Sequence, residues 1–157
     1  MRFSMVNAAA ILGMLSSASA SPVDARSTTV TKTVSPSDYG YINFVDLKSD
    51  KGYVTFTLSS TAGKVLGSWS GSTLNCAGTV TDASEHECYN DQTKYSIDWS
   101  KKTISVNAST VSNYVFSYRA GTTTLPFDTS ACATGTCEYT GTIAVPITKL
   151  TTYSYYS

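Results

Sequence analysis

The chain contains one histidine, His86, within Asp82-Ala83-Ser84-Glu85-His86-Glu87-Cys88. A single imidazole excludes an H-E-x-x-H zinc site and acid–base chemistry built on paired histidines. A Ser-His-Asp triad is arithmetically open, but no G-x-S-x-G elbow presents a serine nucleophile. Between two glutamates in a polar connection, His86 reads as a solvated loop residue, because a tuned imidazole needs burial and a named partner. Glycoside hydrolysis would need two carboxyl groups facing each other across a sugar. The candidates are Glu85, Glu87, Asp98, Asp128 and Glu138. Of these, only Asp98 falls inside a strongly alternating segment, where it is expected to point outwards and pair with a lysine such as Lys102. Asp82, Glu85 and Glu87 lack the D-x-D-x-D-G frame of a calcium loop. The residues therefore assign no catalytic group, no metal site and no cofactor.

The four cysteines, Cys76, Cys88, Cys132 and Cys137, permit three pairings. Spacing favours two local bridges, Cys76–Cys88 across the polar connection Thr81 to Glu87, and Cys132–Cys137 around a tight loop. A zinc site is the weaker reading, since no CxxC pair is present. Asn107-Ala108-Ser109 is the N-glycosylation sequon, placed beside a strand end; a glycan there would mark that edge as solvent-facing. Aromatic rings are the remaining resource: Trp69 among serines and glycines, Trp99 as a core residue, and the tyrosine-rich segment Thr151 to Ser157, which ends a strand or frays. Amphipathic rings suit protein partners, sugars or flat phenolic molecules.

The elements that must position these groups are strands. Ser and Thr number 24 each and Tyr 11, a composition suited to a half-buried pleated surface rather than to helices. Period-two alternation is clear in Tyr53 to Leu58, Lys94 to Trp99, Asn113 to Tyr118 and Ile143 to Ile147. It is weaker in Val30 to Val34, Gly40 to Leu47, Lys64 to Trp69, Thr73 to Val80, Ile104 to Val106 and Cys137 to Gly141. Turns are expected at Asp50-Lys51-Gly52 (a hairpin with a bulge), Ser70-Gly71-Ser72, Ser100-Lys101-Lys102 and Ala120-Gly121. Pro146 lacks an amide donor, which places its strand at an edge or end. No helix is expected. The fold class is all-β: one compact antiparallel β-barrel or sandwich with two local disulfides.

At the N-terminus, Arg2, the uncharged run Met5 to Leu15 and Ala18-Ser19-Ala20 have the form of an export signal. The expected organisation is a signal peptide over 1–20, a flexible tail over 21–27 and a single β domain over 28–157. The localisation this implies is extracellular, where cysteines oxidise. Basic and acidic residues balance at 11 each, which supplies no footprint for nucleic acid and no polybasic patch for a membrane. No second apolar stretch approaches spanning length, so membrane insertion is not expected.

These features resemble the Alternaria major allergen family of small secreted fungal proteins, which includes plant-cell-death elicitors. The resemblance rests on the leader, Tyr53-Val54-Thr55-Phe56-Thr57-Leu58, Cys76 opening a segment closed by Cys88, and Tyr95-Ser96-Ile97-Asp98-Trp99. It continues through Cys132 and Cys137 into Tyr139-Thr140-Gly141-Thr142-Ile143-Ala144-Val145-Pro146. It implies a compact β-barrel with two intrachain bridges. It also implies a non-enzymatic, effector- or elicitor-like role through binding a host (plant) extracellular protein or cell-surface component. A binding module for a small aromatic, flavonoid-like ligand or a cell-wall carbohydrate is the alternative. The chain lacks the upstream cysteine that joins the founding allergen into a dimer, so a covalent dimer is not expected.

Overall fold

A computed structural model describes residues 27–64, 73–88, 93–112 and 115–155. The proposed signal segment, most of the tail, Trp69 and the Ser70-Gly71-Ser72 turn lie outside the described residues. Ten strands and one helical turn follow in the order β1 (Ser27–Thr33), α1 (Pro36–Tyr39), β2 (Tyr41–Asp50), β3 (Tyr53–Thr61), β4 (Leu74–Thr79) and β5 (His86–Glu87). Then come β6 (Thr93–Asp98), β7 (Thr103–Ser112), β8 (Val115–Thr124), β9 (Thr136–Pro146) and β10 (Lys149–Tyr155).

The strands form two antiparallel sheets instead of one closed ladder. The larger has the order β1-β10-β8-β7-β6-β5 and the smaller the order β4-β3-β2-β9. Their inner faces supply the core. Phe44 and Phe56 of the smaller sheet lie 4.8 Å apart, and Phe56 meets Tyr95 of the larger sheet edge-on at 4.8 Å. Val54, Leu58, Ile97, Ile104, Val106 and Val145 close the space around them. Each such side chain contributes roughly 1.5–3 kcal/mol when fully buried. Cys76–Cys88 joins β4 of the smaller sheet to the residue following β5 of the larger, with the Cα atoms 5.0 Å apart. Cys132–Cys137 ties the loop before β9 to its first turn of strand, also with 5.0 Å between Cα atoms. There Ser49 Oγ donates to the Cys132 carbonyl at 2.7 Å.

Local details depart from the sequence reading for identifiable reasons. The β2–β3 hairpin closes through two residues without a bulge, Lys51 (φ 51°) and Gly52 (φ 83°), as Asp50 pairs directly with Tyr53. Positive φ at both central positions is the tight turn whose twist matches the strands. The bulge sits instead at Asp46 (φ 54°), where register shifts against both β3 and β9. It exchanges the buried parity from Ile42 and Phe44 to Leu47 and Ser49. Asp46 Oδ1 accepts from the Gly141 N–H at 3.0 Å and secures the irregularity. Ala120 and Gly121, expected to turn, lie inside β8. Gly121 is required for close approach: a Cβ there would meet the Pro146 carbonyl oxygen at 1.9 Å. Pro146 is the final residue of β9, an edge strand. One helical turn was not expected; α1 is only four residues long, capped by Ser35, whose Oγ accepts from the Ser37 N–H, with Pro36 beginning the turn. Among the described residues no helix is long and apolar enough to cross a membrane.

Candidate functional site

The carboxylates raised by the sequence are dispersed, and three of them hold turns. Asp98 accepts from Ser100 Oγ (2.6 Å) and from the Lys101 N–H (3.0 Å), and its partner lysine is Lys101 at 3.3 Å, not Lys102. The Ser100 hydroxyl first, then the Lys101 amide and ammonium, lower its carboxyl to about 2. Ser130 amide and hydroxyl donors lower Asp128, and Ser84 lowers Asp82 in the same manner. A general acid needs its pKa raised, so these three carboxyls are arranged as permanent acceptors that shape the chain. Glu138 pairs with Lys48 at 2.9 Å, and Glu87 approaches Lys94 at 4.0 Å. Among the described residues no group of three His, Cys, Asp or Glu side chains comes together to hold a cation.

His86 is not a solvated loop residue. It lies in β5 opposite Tyr95, half-buried, with the two rings 5.7 Å apart. The two-residue strand is too short to leave a periodic signal in sequence. Trp99 is half-buried against the core, as expected of a core residue, and its carbonyl accepts from Thr129 Oγ1 at 2.8 Å. Asn107 is also placed differently from the expectation. It stands in the middle of β7, paired with Lys94 of β6 and Ala120 of β8, and not beside the end of its own strand.

The outward face of the larger sheet is where unlike chemistry gathers. Along β6, β7 and β8 the buried residues alternate with an outward set, so each outward row crosses several strands. One row runs Ser96, Ser105, Thr122. The next runs Lys94, Asn107, Ala120, Lys149. A third runs Ser109, Tyr118, Thr151, Thr31, and a fourth brings Phe116 beside Tyr153 and Thr29. The first two rows form a groove of about 300 Å³, with Glu85 at its β6 side. Short side chains (Ser96, Ser105, Ala120) make its floor, while two lysines stand higher. Three strand spacings separate Lys94 from Lys149, roughly 14 Å along the row.

Ser105 and Thr122 hydroxyls bond each other at 2.8 Å across the floor. Asn107 Oδ1 is shut away from solvent and receives no hydrogen bond from the described residues. Lys149 enters no salt bridge among them. Beside the groove, Tyr118 and Tyr153 meet edge to face at 5.4 Å, Phe116 is 38% exposed, and the Thr31 and Thr151 hydroxyls bond at 3.0 Å. A second hollow, on the outward side of β3 and β4, is lined by Thr55, Thr57, Asn75 and Ala77. Its polar groups answer one another, with Thr57 Oγ1 donating to Asn75 Oδ1 at 3.0 Å.

Sequence reasoning missed the groove because its residues come from β6, β7, β8 and β10, and none forms a local motif. Alternation did place Ser96 opposite Tyr95. The terminal tyrosine segment, however, supplies β10, which sits between β1 and β8 inside the larger sheet.

No family model matches the chain, and no curated protein matches it. Among solved structures, an Alternaria alternata allergen, Alt a 1, is similar at 15% identity, covering 73% of this chain and 93% of that one, with a TM-score of 0.45. A second structure of the same allergen gives 14% identity, 69% and 93% coverage, and a TM-score of 0.43. The likeness is a distant one.

Proposed function

We propose that this chain is a secreted, non-enzymatic recognition protein of effector or elicitor type, which binds a host extracellular molecule through the outward face of its larger sheet. The observation that carries this reading is the side-by-side placement of an aromatic patch (Phe116, Tyr118, Tyr153) and a polar groove on one face. Rigid aromatic anchors next to hydrogen-bonding groups are what recognition surfaces use. Two disulfides on a sandwich of hairpins support work outside the cell, where such bridges persist. The turn-holding Asp82, Asp98 and Asp128 support a structural use of carboxylates over a catalytic one.

Infiltration of plant leaves with the oxidised protein, the reduced and alkylated protein, and a Tyr118→Ala/Tyr153→Ala variant tests this. The oxidised protein is expected to provoke or suppress a defence response, the alkylated chain to be inert, and the double variant to be weakened with its fold intact. An identical response from all three would refute the reading.

A further inference from the structure

Resting on the secretion in that reading, we infer that Asn107 carries an N-linked glycan whose first sugar ring sits in the groove over β6, β7, β8 and β10. Asn107-Ala108-Ser109 is the one N-x-S/T sequon of the chain, and neither Ala108 nor Thr110 is a proline. What the fold adds is placement. Val106 and Ala108 point into the core, so Asn107 faces outward, and it lines the groove. Its Oδ1 is shut away from solvent, whereas Nδ2, the atom that would bear the sugar, is not. Nδ2 makes no hydrogen bond to the described residues, so none has to break when a sugar replaces one of its protons.

Room is the second requirement. Cross-strand neighbours on one face stand only about 4.5–5.5 Å apart, so long side chains beside a central asparagine would leave no space for a sugar. Here the β8 neighbour is Ala120, and the adjoining row is Ser96, Ser105 and Thr122. Lys94 is long enough to cover Asn107, but its ammonium reaches the other way, 4.0 Å from Glu87 on β5. The hollow left is about 300 Å³, at the small end of the roughly 300–1,000 Å³ range of ligand pockets. It suits one sugar ring, with the rest of the glycan running out to solvent. The bonded Ser105 and Thr122 hydroxyls keep one donor and spare lone pairs for that ring. Position within a strand is no obstacle, because attachment precedes folding. In the export compartment Nδ2 attacks the anomeric carbon of a lipid-diphosphate-linked oligosaccharide. The bond from that carbon to the diphosphate oxygen breaks, the lipid diphosphate leaves with the electron pair, and an Nδ2 proton passes to a base of the transferase. The glycan then covers the polar part of the face and flanks the patch of Phe116, Tyr118 and Tyr153.

Secretion of the full chain, with its own leader, from a eukaryotic host and glycopeptide mass mapping of the product test the site. The Asn107 peptide is expected to carry N-acetylhexosamine and hexose in most molecules. Ser109→Ala should abolish the modification, and Ser109→Thr, which keeps the hydroxyl, should retain it. The seat of the first ring is read with peptide N-glycosidase, which must reach the bond between asparagine and sugar. Asp82→Asn supplies an internal control, because it turns Asp82-Ala83-Ser84 into a sequon on an exposed loop. In the folded, oxidised double-glycosylated protein, release at Asn107 is expected to be several-fold slower than at position 82. In the reduced and alkylated chain the two rates should converge. Circular dichroism and melting temperature confirm that each variant is folded. A secreted protein bare at Asn107, or equal release at the two positions in the folded protein, would overturn the assignment. A chain that its own leader does not export overturns the site together with the secretion it rests on. If Asn107 is secreted bare while the leaf response still depends on Tyr118 and Tyr153, the glycan falls and the recognition reading stands. If the protected glycan is present while leaves ignore the protein, the reverse holds.

Discussion

Asp98 illustrates how a residue that looks chemically promising is put to structural use. Its three local donors hold the turn between β6 and β7 in register, and they do so only while the carboxyl is ionised. Unfolded, the group titrates near 3.8; folded, near 2. The stabilisation is therefore complete above the unfolded value and disappears as pH falls through the folded one. Asp98→Ala is expected to lower the melting temperature near neutral pH, and the gap to the parent should narrow as acid takes pH from about 4 to about 2. A gap that stays constant over that range would show that the turn does not depend on the charge.

Among the elements, β2 and β8 show what alternation can and cannot reveal. β3 and β6 were legible because their buried positions keep a strict period of two, over Val54, Phe56 and Leu58 in one and Thr93, Tyr95 and Ile97 in the other. β2 was only half legible, because the Asp46 bulge moves burial from even to odd positions and breaks the pattern. Deleting Asp46 should turn Leu47 and Ser49 outward and leave an aggregating chain. Asp46→Asn, which tolerates positive φ and keeps an acceptor for Gly141, should fold with a modest loss of stability. Soluble yield and thermal melts distinguish the two. The Ala120-Gly121 pair misled for a different reason: its glycine answers a contact 25 positions away in the chain, with Pro146, which no local pattern encodes. Gly121→Ala pushes a methyl against a backbone oxygen that has no freedom to move, and should cost about 1–3 kcal/mol or more in denaturant unfolding. The groove was hidden by the same limit, because cross-strand neighbours on a sheet are distant in sequence and each alone is an ordinary polar residue.

For the whole molecule, the two bridges have different consequences. Cys132–Cys137 spans five positions and pins one loop, whereas Cys76–Cys88 spans twelve and connects the two sheets. Loop-closure entropy assigns about 3 kcal/mol to the longer bridge and about 2 kcal/mol to the shorter. Cys76→Ser/Cys88→Ser should therefore destabilise the protein more than Cys132→Ser/Cys137→Ser, as read from guanidinium midpoints. The reverse order would show that the loop before β9 governs stability. β1 and β10 bear on folding as well. Thr31 and Thr151 are direct partners although 120 positions separate them, and β10 lies between β1 and β8. The broad sheet that carries the groove therefore stays incomplete while the polypeptide emerges, with β8 holding an open flank until residues 149–155 arrive to fill it and give β1 somewhere to dock. Such distant closure is slow. A chain halted before that stretch would lack Tyr153 and leave Phe116 and Tyr118 without their β10 neighbours, so recognition competence should be gained late and all at once.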